Sequence, residues 1–458
     1  MNFDLYLKDG LVVTPAGPAP ASVGVLDGKI AAILSPGADV TATRTIECGG
    51  RPVLPGLVDP HVHLGGGVSY EELCETESVS AAAGGVTTLL QYRRSLTTFA
   101  ETFPEERRAA GELMSIDTAF HFILGGMEQV ELIPQYAADY GVTSYKFYMG
   151  GYPPGNPIGL ITVDDATLYR AMEHIRGLGP YARCMVHCED DSLVIHLTEQ
   201  VRASGAEDLP AYTRTRPAFV EEQDLIRAIW LAELTGCPLY VPHTTIGMAV
   251  EEAANARLRG ASIHLETCPH YLALTADDER LAAQGAGVGK VAPALRDKEN
   301  QDRLWWGLDN GLIHTIGSDH VPIAKTGAAL WEERPGFAGL GTMLPVVYTY
   351  GVAAGRIDLA RLAEVTAANP ARMFGLYPQK GAIAVGSDAD LLLIEPEDSQ
   401  VVGPATTHSR YTSAFEELPL QGWPIFTIRR GEVLFEEGSY RGKPGTGRVV
   451  GPQADFDV

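Results

Sequence analysis

Between about residue 53 and residue 376 the chain alternates short, β-branched apolar runs with longer amphipathic stretches. Eight runs read as strands: residues 57–64, 86–92, 118–124, 144–149, 182–188, 239–245, 262–267 and 313–317. Between them apolar residues recur at three- and four-residue spacing, as in 224–234, which is the period of an amphipathic helix. Repeated strand–helix units predict a parallel sheet. Eight such units close most naturally into a (β/α)8 TIM-like barrel, with an open doubly wound sheet as the other solution.

The two ends of the chain follow a different pattern. Short apolar or alternating runs at 3–8, 10–14, 21–25 and 29–34 are punctuated by Asp9-Gly10 and Asp27-Gly28, both hairpin signals. Turn-punctuated strands return at 380–394, 425–429 and 432–436, and are expected to join the amino-terminal ones in a small β-sandwich beside the barrel. The fold class is therefore α/β, in four segments: 1–52 and 377–441 as the two parts of the sandwich, 53–376 as the barrel, and 442–458 as a Gly/Pro-rich extended tail.

Composition narrows the function. The 458 residues include 58 acidic and 35 basic ones, a formal charge of -23, which argues against a nucleic-acid or anionic-membrane partner. No run of 18 or more apolar residues occurs, and residues 1–6 lack the basic and apolar regions of a signal peptide. The six cysteines show neither zinc-type pairing nor disulfide-rich density, so a cytoplasmic location is expected.

The candidate chemistry gathers at strand ends, where barrel enzymes carry their sites. The run Val53-Leu-Pro-Gly-Leu-Val-Asp-Pro-His-Val-His63 ends in two histidines at i and i+2, which emerge on one face of a strand as two ligands of one metal should. Reading the other strand ends adds Lys146, His187, His243 and, just past the eighth strand, Asp319. Either His187 or His243 alone reads as an ordinary buried imidazole. Four histidines and an aspartate at the ends of four strands read as a metal site of the kind imidazole suits, zinc or a first-row neighbour. His121 is mid-strand, and His174, His196 and His408 read as helix or loop residues. Burial beside cations favours the neutral amine of Lys146. That amine either pairs with an acid or adds carbon dioxide to become a carbamate, a carboxylate able to bridge two metals.

These residues lie within motifs that resemble one family nearly end to end. They are Pro55-Gly-Leu-Val-Asp-Pro-His-Val-His63, Ala83-Gly-Gly-Val-Thr-Thr88, Glu266-Thr-Cys-Pro-His-Tyr-Leu272, Ala294-Leu-Arg-Asp-Lys298, Gly317-Ser-Asp-His320 and the run from Asn369 to Gly381. The chain resembles cyclic amidohydrolases of the dihydropyrimidinase, hydantoinase and allantoinase type. The resemblance implies that His61, His63 and Asp319 hold one divalent ion, expected to be zinc, and His187 and His243 the other. It also implies that N6-carboxylated Lys146 bridges them together with a hydroxide. That hydroxide would attack a cyclic amide or imide, with Asp319 as general base and then acid, while His320 orients its neighbours. A homotetramer or homodimer is expected on the same ground.

Departures from the family pattern bear on the ring. Dihydropyrimidinases and many hydantoinases carry a tyrosine five residues after the carboxylated lysine; here Gly151 stands there, followed by Tyr152. Either Tyr152 substitutes, or the oxyanion relies on metal alone, as in allantoinases and in some hydantoinases that lack the tyrosine. Dihydroorotases place an arginine two residues after His-X-His, where this chain has Gly65, which counts against that substrate. Arg93 and Arg94 leave the second strand together; successive side chains diverge, so one of them is expected to face the site or both to serve the surface. Ala292 and the turn Pro335-Gly336 are the expected ring contacts. Non-catalytic scaffold relatives of this fold lack several ligands, whereas all six are present here.

Overall fold

The computed structural model describes residues 2–65, 67–152 and 159–452. Its centre is an eight-stranded parallel barrel in sequential order. The strands are β1 (Leu57–His63), β2 (Val86–Arg94), β3 (Asp117–Ile123), β4 (Ser144–Tyr148), β5 (Arg183–His187), β6 (Leu239–Val241), β7 (Ile263–Thr267) and β8 (Thr315–Ile316). A parallel bridge between Val62 and His320, with His63 N–H donating to the His320 carbonyl at 2.9 Å, joins β1 to the chain just beyond β8. Helices connect successive strands, so each strand is covered by apolar surface on its outer side.

Alternation sorts the side chains. Val58, Leu90, Tyr92, Ala119, Ile123, Tyr148, Met185 and Tyr240 fill the barrel interior. Leu57, Val62, Leu89, Phe120, Phe122, Tyr145 and Phe147 face the helix layer. The Asp224 to Leu234 pattern lies within the helix Ala218–Thr235, which begins six residues earlier than the apolar period alone indicated.

Both chain ends enter one nine-stranded sheet, which has its own apolar core including Leu5, Val12, Val23, Val25, Val53, Leu391, Leu393 and Ile428. The strand Pro52–Pro55 sits inside this sheet, between Asn2–Thr14 and Leu391–Glu395, and leads through Gly56 directly into β1. One expectation is corrected. Asp9-Gly10 is no hairpin turn but a bulge within the continuous strand Asn2–Thr14. Asp9 takes a φ of 56° there, and its carboxylate accepts the Gly37 N–H at 2.8 Å, which local sequence does not reveal. Asp27-Gly28 does turn the chain, between Gly17–Leu26 and Lys29–Leu34.

The carboxyl-terminal segment is extended and packed against the amino end of β3. Thr118 N–H donates to the Arg448 carbonyl (2.9 Å) and Val450 N–H to the Thr118 carbonyl (2.8 Å); residues 453–458 of the expected tail lie outside the described residues. No helix among the described residues is long and apolar enough to cross a membrane.

A buried ion cluster ties these parts together. Lys380 Nζ lies 2.8 Å from Asp390 and 2.9 Å from Asp388, and also contacts Asp117, the first residue of β3, which Arg430 contacts from the other side. Removing the ammonium shared by three buried carboxylates leaves their charge only partly compensated, by Lys29 on Asp388 and Arg430 on Asp117, at a cost of about 3–5 kcal/mol. Lys380→Met is therefore expected to lower Tm by several degrees, as measured by calorimetry; an unchanged Tm would show that the cluster contributes nothing.

Candidate active site

The strand ends surround a cavity of about 620 Å³ bordered by His63, Lys146, His187, His243 and Asp319. His61 and His63 project from β1 with ring centres 5.3 Å apart. Strict alternation from inward-facing Val58 would turn Val62 inward instead. The pairing with β2 breaks register between Asp59 and Val62, which switches the phase and aims both imidazoles at the axis. His243 and Asp319 hold positive φ angles of 41° and 48°. Such backbone strain in side-chain-bearing residues concentrates at functional positions.

Asp319 Oδ1 lies 3.2 Å from His61 Nε2 and 3.6 Å from His63 Nε2, and the three residues present donor atoms within 4.8 Å of one another. Lys146 Nζ is 3.1 Å from His61 Nε2, and His187 Nδ1 is 3.1 Å from His243 Nε2. With the His61 and His243 rings 5.2 Å apart, the two groups are contiguous. All six side chains expected from the sequence thus converge.

Their surroundings fit divalent cations. Glu266 Oε1 is 2.6 Å from His61 Nδ1, and Glu266 also accepts from the Tyr240 hydroxyl (2.6 Å) and the His243 N–H (3.1 Å). That carboxylate fixes the proton on Nδ1 and leaves the Nε2 lone pair facing Lys146 and Asp319. His187 is held on its other nitrogen: Nε2 lies 3.0 Å from Glu189, which Arg216 binds at 2.6 Å, leaving Nδ1 for the cavity. Asp59 accepts N–H bonds from His61 (3.1 Å) and Ser318 (3.0 Å), tying β1 to the chain after β8. Burial pushes the Lys146 ammonium down to about 8 and the Asp319 carboxyl up to about 7, each opposed by the other's charge. Burial, reinforced by Lys146, also holds His61, His63 and His243 well below the usual imidazole range. Neutral imidazoles beside a carboxylate are the donor set of a divalent-metal site. The carboxylates of Asp117, Asp388 and Asp390 also cluster, but Lys380 occupies their centre.

The remaining expected residues separate by position. Tyr152, Arg93, Arg94, Ala292, Pro335 and Gly336 all border the cavity. Strand parity divides the arginines. Arg93 turns to the helix side, where it contacts Glu106 twice, donates to the Leu64 carbonyl at 2.7 Å and lies 3.9 Å over the Tyr70 ring. Arg94 shares the parity of inward-facing Tyr92 and reaches across the mouth toward Gly159. His320 is removed from the donor atoms: its Nδ1 accepts from Gly339 (3.1 Å), and its Nε2 lies 3.2 Å from Glu77. Gly151 leaves no room for a side chain, because a Cβ there would come within 2.5 Å of His187 Nε2 and 2.7 Å of Glu189 Oε2. Tyr152 borders the cavity instead, its ring 5.6 Å from that of His187.

The supporting residues Glu266, Tyr240, Asp59, Glu189 and Arg216 escaped the reading of strand ends for ligands. A usable signal existed for two of them: Asp59 and Glu189 each stand two residues from a strand-end histidine.

The profile of the Amidohydrolase family matches residues 236–434. An L-hydantoinase of Paenarthrobacter aurescens is 36% identical over 464 residues, covering 98% of each chain. The chain belongs to the hydantoinase, dihydropyrimidinase and allantoinase family of amidohydrolases. An allantoinase of Deinococcus radiodurans is 33% identical, covering 99% of this chain and 100% of its own. The solved structure of an L-hydantoinase (dihydropyrimidinase) from Arthrobacter aurescens superposes with a TM-score of 0.89 at 35% identity, covering 98% of this chain and 100% of that one. Family membership and the clustered donors together point to divalent metal ions as the cofactor.

If Glu266 orients His61, then Glu266→Gln is expected to weaken metal retention about ten- to a hundredfold. Titration with a competing chelator measures this, and wild-type retention would reduce Glu266 to a packing role.

Proposed function

We propose that the protein hydrolyses an endocyclic amide bond, opening a hydantoin, a dihydropyrimidine or a related cyclic imide. The observation that carries this reading is the convergence of His61, His63, Lys146, His187, His243 and Asp319 beside one cavity, in a chain of this family. In this reading His61, His63 and Asp319 hold one Zn²⁺ and His187 and His243 a second. Lys146, as its N6-carbamate, would supply carboxylate oxygens to the same ions. The lowered affinity of its amine for protons supports that step, since only the neutral amine adds carbon dioxide.

Bound divalent ions supply an activated water and polarise the scissile carbonyl. Asp319 takes the proton from the attacking water at its carboxylate and returns it to the ring nitrogen as the C–N bond breaks. Glu266 and the Glu189–Arg216 pair keep His61 and His187 in the orientation this requires. Tyr152, at the cavity wall, is placed to donate to the developing oxyanion, and Ala292, Pro335 and Gly336 contact the ring. Allantoin as the ring is the second reading; the closed packing around Gly151, which excludes the tyrosine of dihydropyrimidinases, supports allantoin or a hydantoin over a dihydropyrimidine.

A ring-opening screen over hydantoin, 5-substituted hydantoins, dihydrouracil, allantoin, dihydroorotate and simple imides tests the function. At least one ring is expected to open in wild type, while Lys146→Ala loses most metal and nearly all activity, with partial rescue by short carboxylic acids. A fully active Lys146→Ala variant would remove the bridging role, and silence on every ring would remove the activity.

Strand parity supports Arg94 rather than Arg93 as the arginine that reads the substrate. A guanidinium at the mouth makes charge-assisted bonds to an imide oxygen or an acidic substituent, of roughly 1.5–3 kcal/mol when desolvated. Arg94→Ala is expected to lower kcat/KM about ten- to a hundredfold on the best substrate with metal content unchanged. Equal kcat/KM in variant and wild type would return Arg94 to the surface.

A further inference from the structure

The charge around the cavity is opposite in sign to that of the chain. Of the described residues that border it, Arg93, Arg94, Lys146 and Arg334 are basic, and Asp319, which belongs to the donor cluster, is the only carboxylate. The whole chain has 58 acidic residues against 35 basic ones. Glu106 ties Arg93 to the helix side, so Arg94 at the end of β2 and Arg334 in the loop beyond β8 set the charge of the mouth. Tyr148 adds a polar group that the donor cluster does not use. It ends β4 two residues after Lys146, and strand alternation turns both side chains toward the barrel axis. Tyr148 is 5% exposed and borders the cavity, yet its hydroxyl makes no hydrogen bond among the described residues. The equally buried hydroxyls of Tyr145, Tyr240 and Tyr271 all do. Burial, with Asp319, keeps the Tyr148 hydroxyl protonated and therefore a donor, against the opposing pull of the Arg94 guanidinium.

We infer that Arg94 and the Tyr148 hydroxyl form a carboxylate subsite, and that the ring opened by this protein carries an ionised carboxylate on its substituent. The inference rests on the ring-opening reading above and names the class of ring. Both groups are hydrogen-bond donors. The planar fork of a guanidinium matches a carboxylate with two parallel N–H···O bonds, and a phenol supplies a third donor from another strand. An apolar substituent would instead leave the buried Tyr148 donor without an acceptor, which costs its full desolvation. Leu64 and Ile123 also border the cavity, whose volume of about 620 Å³ has room for a short methylene arm beyond the ring itself. The acidic excess of the chain does not forbid an anion here. At physiological ionic strength exposed charges are screened beyond about 8 Å, so the arginines at the mouth decide the local sign.

The test compares two substituents of equal shape, carboxyethyl and its neutral isostere carbamoylethyl, on a ring that the screen finds open, hydantoin first. With the metal-loaded full chain, kcat/KM for the acid is expected to exceed that for the amide about tenfold or more. Arg94→Met and Tyr148→Phe should each lower that ratio about tenfold, with the metal content of every variant measured alongside. An amide opened as well as the acid would overturn the subsite and leave ring opening standing. So would an Arg94→Met variant that keeps the ratio, or a Tyr148→Phe variant that slows both substrates equally, since the hydroxyl would then serve the ring itself. Should no ring open at all, the ring-opening reading falls, and calorimetric titration of the metal-loaded protein with the same two hydantoins decides the subsite. Acid bound about tenfold more tightly than amide carries it, and equal binding overturns it.

Discussion

The hydrogen bond from His63 N–H to the His320 carbonyl closes the barrel, and it sits beside the clustered side chains of His61, His63 and Asp319. A parallel barrel with sequential strands collects all its carboxyl ends on one rim, but only closure brings the first strand beside the last. His61 and His63 come from β1 and Asp319 from the turn after β8, and their donor atoms meet because those two ends are joined. Asp59 reinforces the same seam by accepting from both His61 and Ser318.

Bringing these groups together costs solvation. Lys146, Asp319 and Glu266 are all buried, and burial moves each toward its neutral form. Such a cluster holds only if each polar group is fixed by another, and the structure supplies that in layers. Tyr240 and the His243 N–H secure Glu266, Glu266 orients His61, and Arg216 secures the Glu189 that orients His187. Farther from the site, the Lys380 cluster solves a similar problem by pairing buried charges directly, which leaves it structural.

Charge also shapes the exterior. The exposed positions of the helix Ala218–Thr235 carry no charge, although the chain as a whole has an excess of acidic residues. That helix also carries Glu221 on its inner side, which bonds Thr245 and Arg296 near the strand ends. One helix thus packs the barrel with one face and presents apolar side chains with the other.

The barrel was legible in the sequence because strand and helix impose different periods on apolar residues, and eight alternations leave few ways to bury both kinds of element. The six metal-type side chains were legible for a related reason: parallel strands share a direction, so strand ends share a rim. The Asp9-Gly10 bulge was not, since its turn-like dipeptide is held open by contacts with Gly37 and Ser22 from outside the local segment. Nor was the register break in β1 that aims His61 and His63 inward, because a phase change depends on which residue of β2 lies opposite. Sequence stated that Arg93 and Arg94 must diverge; only the fold, by placing Glu106 and the Leu64 carbonyl beside Arg93, decided which of the two is tied to the helix side. The same holds for Gly151, whose meaning lay in the space that His187 and Glu189 had already taken. Local spacing determines which way a side chain leaves its own strand, but what it meets there is set by distant segments that only tertiary packing brings near.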